Sequence, residues 1–89
     1  MAEVLNPLIT PLEEALLTQC INRMMRFIRM PMPEEVRLLA LVALRTFVSL
    51  RYHGLRLEHT PLGRQWFEIR FVETLQLEEA IHIMARDAA

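Results

Sequence analysis

The chain has 89 residues, of which 53% are hydrophobic and 24% charged, and its formal net charge is −1. A chain of this length folds around one core, so we expect a single domain over residues 1–89. The hydrophobic fraction is above the usual share and the mean hydropathy is +0.21, which excludes an intrinsically disordered chain.

The sequence predicts neither a membrane span nor a secretory signal. The longest apolar run, residues 38–44, is followed by Arg45, whereas a spanning helix needs about 20 apolar residues. The first residues include an acid and two prolines where a signal peptide has basic and apolar segments. A single cysteine excludes an internal disulfide. We therefore expect a cytoplasmic protein that does not enter a membrane.

The charges are unevenly distributed along the chain. All ten basic residues are arginine. Residues 1–20 and 71–89 each carry a net charge of −3, and residues 21–70 carry +5. This pattern predicts that the acidic ends fold against the basic middle; the alternative is a basic patch that meets an acidic partner.

The first predicted helix starts at Thr10. Thr10 and Glu13 have the spacing of a capping box, in which each side chain bonds to the backbone N–H of the other residue, and proline between them suits the first turn. Pro31 and Pro33 predict an end near Met30. Helical spacing gathers the apolar residues of this segment on one side: Leu16, Leu17, Cys20, Ile21, Met24, Phe27 and Ile28.

A second helix is predicted from Pro33 to Gly54, with Glu34 and Glu35 near the positive end of the helix dipole. Apolar residues surround the middle of this helix, so it must be covered on all sides. One further helix and a short tail offer too little chain to cover it, which predicts self-association or a protein partner. The apolar residues are Val36, Leu38, Leu39, Ala40, Leu41, Val42, Ala43, Leu44, Phe47, Val48 and Leu50.

The segment after Gly54 alternates apolar and charged residues, which predicts two β-strands. Residues 60–63 fit a turn with Gly63 in the left-handed conformation, and this turn places Leu57 opposite Phe67. The alternative is that Thr60 caps a long third helix. We prefer the hairpin because a helix would leave aromatic side chains facing water.

Helical spacing returns at Thr74 or Leu75 and continues to about Asp87, which predicts a final helix. The predicted fold is therefore α+β and mainly helical, with two N-terminal helices, a β-hairpin and a C-terminal helix. The alternative is an all-α bundle of three or four helices.

Few residues are suited to catalysis or metal binding. Cys20 lies within the apolar side of the first helix, where burial makes a thiol inert. Glu78 and His82 have the spacing of a helical i,i+4 contact, and His53 and His59 lack further ligands nearby. We predict no enzyme, no catalytic residue, no metal and no cofactor.

The sequence favours a small protein-binding module, such as an adaptor, assembly factor or inhibitor of a larger protein, of the kind that mobile elements encode. Flexible methionines beside arginines are typical of protein interfaces, and such a group lies around the end of the first helix. The partner is a protein, a second copy, or both. The predicted contact residues are Arg23, Arg26 and Arg29 with Met25, Met30 and Met32.

The alternative function is nucleic-acid binding. Arginine side chains suit phosphate groups, and the predicted hairpin brings several of them together. Against this hypothesis stand the net charge of −1 and the absence of a basic run. The residues in this alternative are Arg56, Arg64 and Arg70, together with the arginines of the first helix.

Overall fold

The computed structural model describes residues 6–88, which form three α-helices: α1 (Pro11–Phe27), α2 (Glu34–Arg56) and α3 (Pro61–Asp87). Helix α2 packs against both α1 and α3 and runs antiparallel to them. The described part of the chain is elongated, 53 × 22 × 18 Å. The fold is therefore all-α: the predicted α+β fold is wrong, and the alternative helical bundle agrees with the structure.

Helix α1 begins as its sequence predicts. The Thr10 hydroxyl accepts a hydrogen bond from the Glu13 backbone N–H at 3.1 Å, and a Glu13 carboxylate oxygen accepts one from the Thr10 N–H at 2.9 Å. These bonds satisfy two backbone donors that the first turn leaves without partners. The helix ends at Phe27, ahead of the turn at Met30 and the prolines that follow it.

The predicted β-hairpin is absent, because the residues of its turn and second strand belong to α3. The Thr60 hydroxyl accepts a hydrogen bond from the Gly63 N–H at 3.0 Å and caps this helix, and Pro61 occupies its first turn. Gly63 does not have the positive φ that the hairpin required. The extended structure found between residues 6 and 88 is one isolated bridge between Pro7 and Glu58.

The hairpin was preferred because a helix was expected to leave aromatic side chains facing water. Phe67 and Phe71, four residues apart, lie on the buried side of α3, whereas Ile69 and Val72 are each 52% exposed. The expectation that a helix would leave aromatic side chains facing water is therefore wrong for Phe67 and Phe71, although Trp66 is 39% exposed. A two-stranded hairpin is marginal in water, whereas a capped helix forms its own backbone hydrogen bonds.

Helix α2 passes through Gly54 and ends at Arg56, two residues beyond its predicted end. Leu8 and Ile9, which precede α1, pack against this end of α2 and are 1% and 2% exposed. Their backbone N–H groups donate to the carbonyls of Leu57 and Gly54 at 2.8 and 3.1 Å. This short segment closes one end of the core.

The core lies where α2 faces α1 and α3. Two of its residues on α2, Ala40 and Ala43, are fully buried, and their small side chains allow the neighbouring helices to approach closely. The core residues are Leu8, Ile9, Leu17, Cys20, Met24, Phe27, Val36, Ala40, Ala43, Phe47, Leu50, Phe67 and Ile81.

Helix α2 is long enough and apolar enough to span a membrane by length and composition alone, with an 18-residue window of mean hydropathy 1.2. Core helices of water-soluble proteins meet the same two criteria. Of this window, 28% is buried within the protein.

We expect the substitution Gly54→Ala to destabilise the protein. A Cβ atom at this position would lie 2.6 Å from Cγ2 of the buried Ile9. Alanine improves helix propensity by about 1 kcal/mol, but overpacking a core costs about 1–3 kcal/mol. Urea unfolding should therefore show a net loss of stability. The double variant with Ile9→Ala should lose less than the sum of the two single losses, and a Gly54→Ala protein more stable than the wild type would contradict this packing.

Candidate functional site

Helix α2 has a second apolar side that the other helices do not cover. The buried residues of α2 recur at positions 36, 40, 43, 47, 50 and 54. At 100° per residue, another set of residues lies on the opposite side of the helix. We call this set the outer face: Leu38, Leu41, Val42, Arg45, Val48 and Tyr52. Leu38 and Tyr52 are 55% and 51% exposed, and every member of the set is exposed.

The neighbouring helices flank the outer face without covering it. Helix α1 is held to one side by Arg51, which donates to the Glu14 carboxylate at 2.8 Å and to the Thr18 hydroxyl at 3.1 Å. Helix α3 lies on the other side, where its Trp66 borders a shallow groove. The groove is lined by Arg45, Thr46, Ser49, Leu50, Trp66 and Arg70.

Charged residues lie at the middle and at both ends of the outer face. Arg45 is exposed, and its guanidinium has no hydrogen bond or ion pair within residues 6–88. Glu34, at the start of α2, is 4.0 Å from Arg37 and its side chain is 73% exposed. Arg56, at the other end, stacks 3.8 Å from the centre of the Tyr52 ring. By helical spacing Glu34 and Arg56 point to the same side as the outer face.

Arg23, one of the predicted contact residues, forms an ion pair with a residue of α3. Its guanidinium makes two hydrogen bonds to the Glu78 carboxylate, at 2.5 and 2.7 Å. The Glu78 side chain is only 5% exposed. Burial, the strongest influence, raises the pKa of Glu78, but the hydrogen bonds and the charge of Arg23 outweigh it and hold this pKa below its usual value. Arg23 therefore joins two helices.

The other predicted contact residues differ in exposure. Arg26, Arg29, Met25 and Met30 are exposed, and Met32 is partly buried against the core. Met30 and Met32 border a shallow cavity at one end of the bundle. Its lining also includes Phe27, Pro31, His82, Ala85 and Arg86. The other four predicted contact residues do not line this cavity.

The arginines of the nucleic-acid alternative lie on two different helices, Arg56 on α2 and the other two on α3. The hairpin that was expected to gather them is replaced by a helix, which turns Arg64 and Arg70 to different sides. The Arg64 guanidinium bonds to the carboxylates of Glu13 and Glu68 at 2.8–2.9 Å. Arg70 is 3.8 Å from the carboxylate of Glu73. Neighbouring acids thus offset two of these three positive charges.

The candidate catalytic groups are buried or held by other residues. Cys20 is buried, and this burial raises the pKa of its thiol. His82 lies 3.4 Å from Glu78, whose carboxylate is bonded to Arg23. Between residues 6 and 88, no group of three or more His, Cys, Asp and Glu side chains is placed to hold a metal ion.

Ion pairs join the acidic ends of the chain to its basic middle. Glu13 binds Arg64, Glu14 binds Arg51, and Glu78 binds Arg23. Each pair connects two different helices. The charge pattern of the sequence is therefore explained by contacts within the fold, as predicted.

No protein-family model matches the chain, and the searches of curated proteins and of solved structures give no match either.

We expect Arg23→Ala to destabilise the protein by about 2–3 kcal/mol, because it leaves the buried Glu78 carboxylate without its main partner. The matched control is Arg26→Ala on the same helix, since Arg26 is exposed and makes no side-chain bond within the described residues. The control should change the free energy of unfolding by less than about 0.5 kcal/mol. Equal losses for the two variants would contradict the role of the Arg23–Glu78 pair.

The lowered pKa of Glu78 predicts a specific pH dependence of stability. A carboxyl group with a folded-state pKa below its ordinary value of 4.5 stabilises the fold above that pH, and this stabilisation is lost as the pH falls through the folded-state pKa. Glu78→Gln lacks this contribution. The difference in unfolding free energy between the wild type and Glu78→Gln should therefore be largest at neutral pH and shrink below pH 4.5. A difference that stays constant down to the acid transition would contradict this prediction.

Proposed function

We propose that this protein is a non-enzymatic protein–protein interaction module, an adaptor, assembly factor or inhibitor, and that its principal contact is the outer face of α2. The observation that carries this proposal is the exposure of apolar residues along the full length of the central helix. Its opposite side is already packed in the core.

The dimensions of the outer face fit a binding surface. From residue 34 to residue 56 the helix rises about 33 Å, and a strip about 10 Å wide covers roughly 350 Å². An exposed apolar patch of this size on a small protein is often an interaction site. The fold leaves no buried side-chain nitrogen or oxygen of the described residues without a hydrogen-bond partner.

Some of the contact residues that the sequence predicts on α1 also belong to the proposed contact. Arg51 at one end of α2 contacts the start of α1, and Arg37 at the other end donates to the carbonyls of Ile28 and Met30. This antiparallel packing puts the exposed Met25 level with the middle of α2. We propose that Met25, with Arg26 and Arg29, lies at the border of the contact.

The test uses two valine variants with matched exposure. Val42 on the outer face is 47% exposed, and Val72 on α3 is 52% exposed and lies away from that face. Each is replaced by lysine, and wild type and variants serve as bait in host extract at low and high salt. Placing a charge in an apolar interface removes binding, so wild type and Val72→Lys should capture a protein that Val42→Lys does not.

Equal capture by both variants would reject the outer face as the contact. Recovery of nucleic acid, with the steep salt dependence of phosphate contacts, would instead support the alternative function. Circular dichroism and melting temperature of each variant separate a loss of binding from a loss of fold.

A further inference from the structure

We propose that the outer face of α2 binds a second copy of this chain, with the two α2 helices antiparallel about a two-fold axis at Arg45. This inference rests on the proposed function and names the partner of that same face.

Most of the outer face is symmetric in sequence about Arg45. An antiparallel pair centred at this residue sets position 45 − n of one copy against 45 + n of the other. Leu38 then meets Tyr52, and Val42 meets Val48, so apolar residues meet apolar residues in both directions. Leu41 is the exception, because its counterpart in this alignment is Ser49.

The charges at the two ends complete the match. The same alignment places Glu34 of each copy beside Arg56 of the other, since both residues lie eleven positions from Arg45. A parallel pair would put Glu34 beside Glu34 and Arg56 beside Arg56, which is repulsive. The charge pattern therefore selects the antiparallel arrangement, and it is satisfied by this chain alone.

Arg45 is the residue that opposes this contact. Its two copies face each other at the axis, where the aliphatic stems cover apolar neighbours and the guanidinium groups reach water at the edge of the helix pair. Like charges at the centre weaken the dimer without preventing it. Arg45 also distinguishes a second copy from a different partner. An acidic residue of a different protein would form an attractive ion pair with Arg45, whereas a second copy places another arginine there.

The size of the contact predicts weak association. A strip of roughly 350 Å² per copy, enlarged by the neighbouring Trp66 of α3, is smaller than the roughly 800 Å² per partner of a standard interface. We expect a monomer–dimer equilibrium with a dissociation constant in the micromolar range.

The experiment is sedimentation equilibrium of the full chain from about 5 to 500 μM, a range that suits an interface of this size class. Glu34→Arg and Arg56→Glu should each raise the dissociation constant about tenfold, because each dimer loses two ion pairs and gains two repulsions. The double variant Glu34→Arg/Arg56→Glu should restore association, since the swapped charges again attract each other across the interface.

Two control variants change the net charge equally on an exposed part of α3. Glu79→Arg matches Glu34→Arg, and Arg86→Glu matches Arg56→Glu. Both should associate like the wild type. Arg45→Gln should tighten the dimer about threefold by removing the central repulsion. Melting temperatures confirm that every variant is folded.

A wild type that stays monomeric at the highest concentration overturns this inference. It also fails if the double variant associates no better than the single variants, or if Arg45→Gln weakens the dimer. The proposed function has a separate test. It holds, even without a dimer, if capture of a protein from extract depends on Val42, and it is wrong if no captured protein depends on that residue.

Discussion

The whole structure depends on a central helix that is apolar on two opposite sides. Helices α1 and α3 cover the side that carries Ala40, Ala43 and Phe47, and this packing forms the core. Two flanking helices cannot also cover the opposite side, where Leu38, Val42 and Val48 face water. Burying apolar surface is favourable by about 25 cal/mol per Å², so the uncovered side favours association with another apolar surface.

Local chemistry allowed much of the helical structure to be predicted. The capping box at Thr10 and Glu13 located the start of α1, and Pro33 located the start of α2. Gly54 was misinterpreted as a helix end because glycine is common there, whereas its actual role is to make room for Ile9. Such a contact between distant residues has no local sequence pattern.

The wrong prediction of a hairpin and the failure to predict the outer face have the same physical cause. The sequence indicated that a long third helix would leave aromatic side chains facing water, and that the second helix had more apolar surface than the chain could cover. It did not show which surfaces the fold would leave exposed, because that depends on where the helices pack. The ion pair of Arg23 could not be predicted for the same reason, since Glu78 lies far away in sequence and becomes its partner only in the folded chain.

The position of Trp66 has a practical consequence. It is the only tryptophan in the chain, it is 39% exposed, and it borders the groove beside Arg45 and Ser49. Indole fluorescence depends on access to water, so any molecule that settles next to this groove alters the emission of a single known side chain. The protein thus contains a built-in optical reporter close to its central helix, and occupancy there can be followed in solution without attaching a dye.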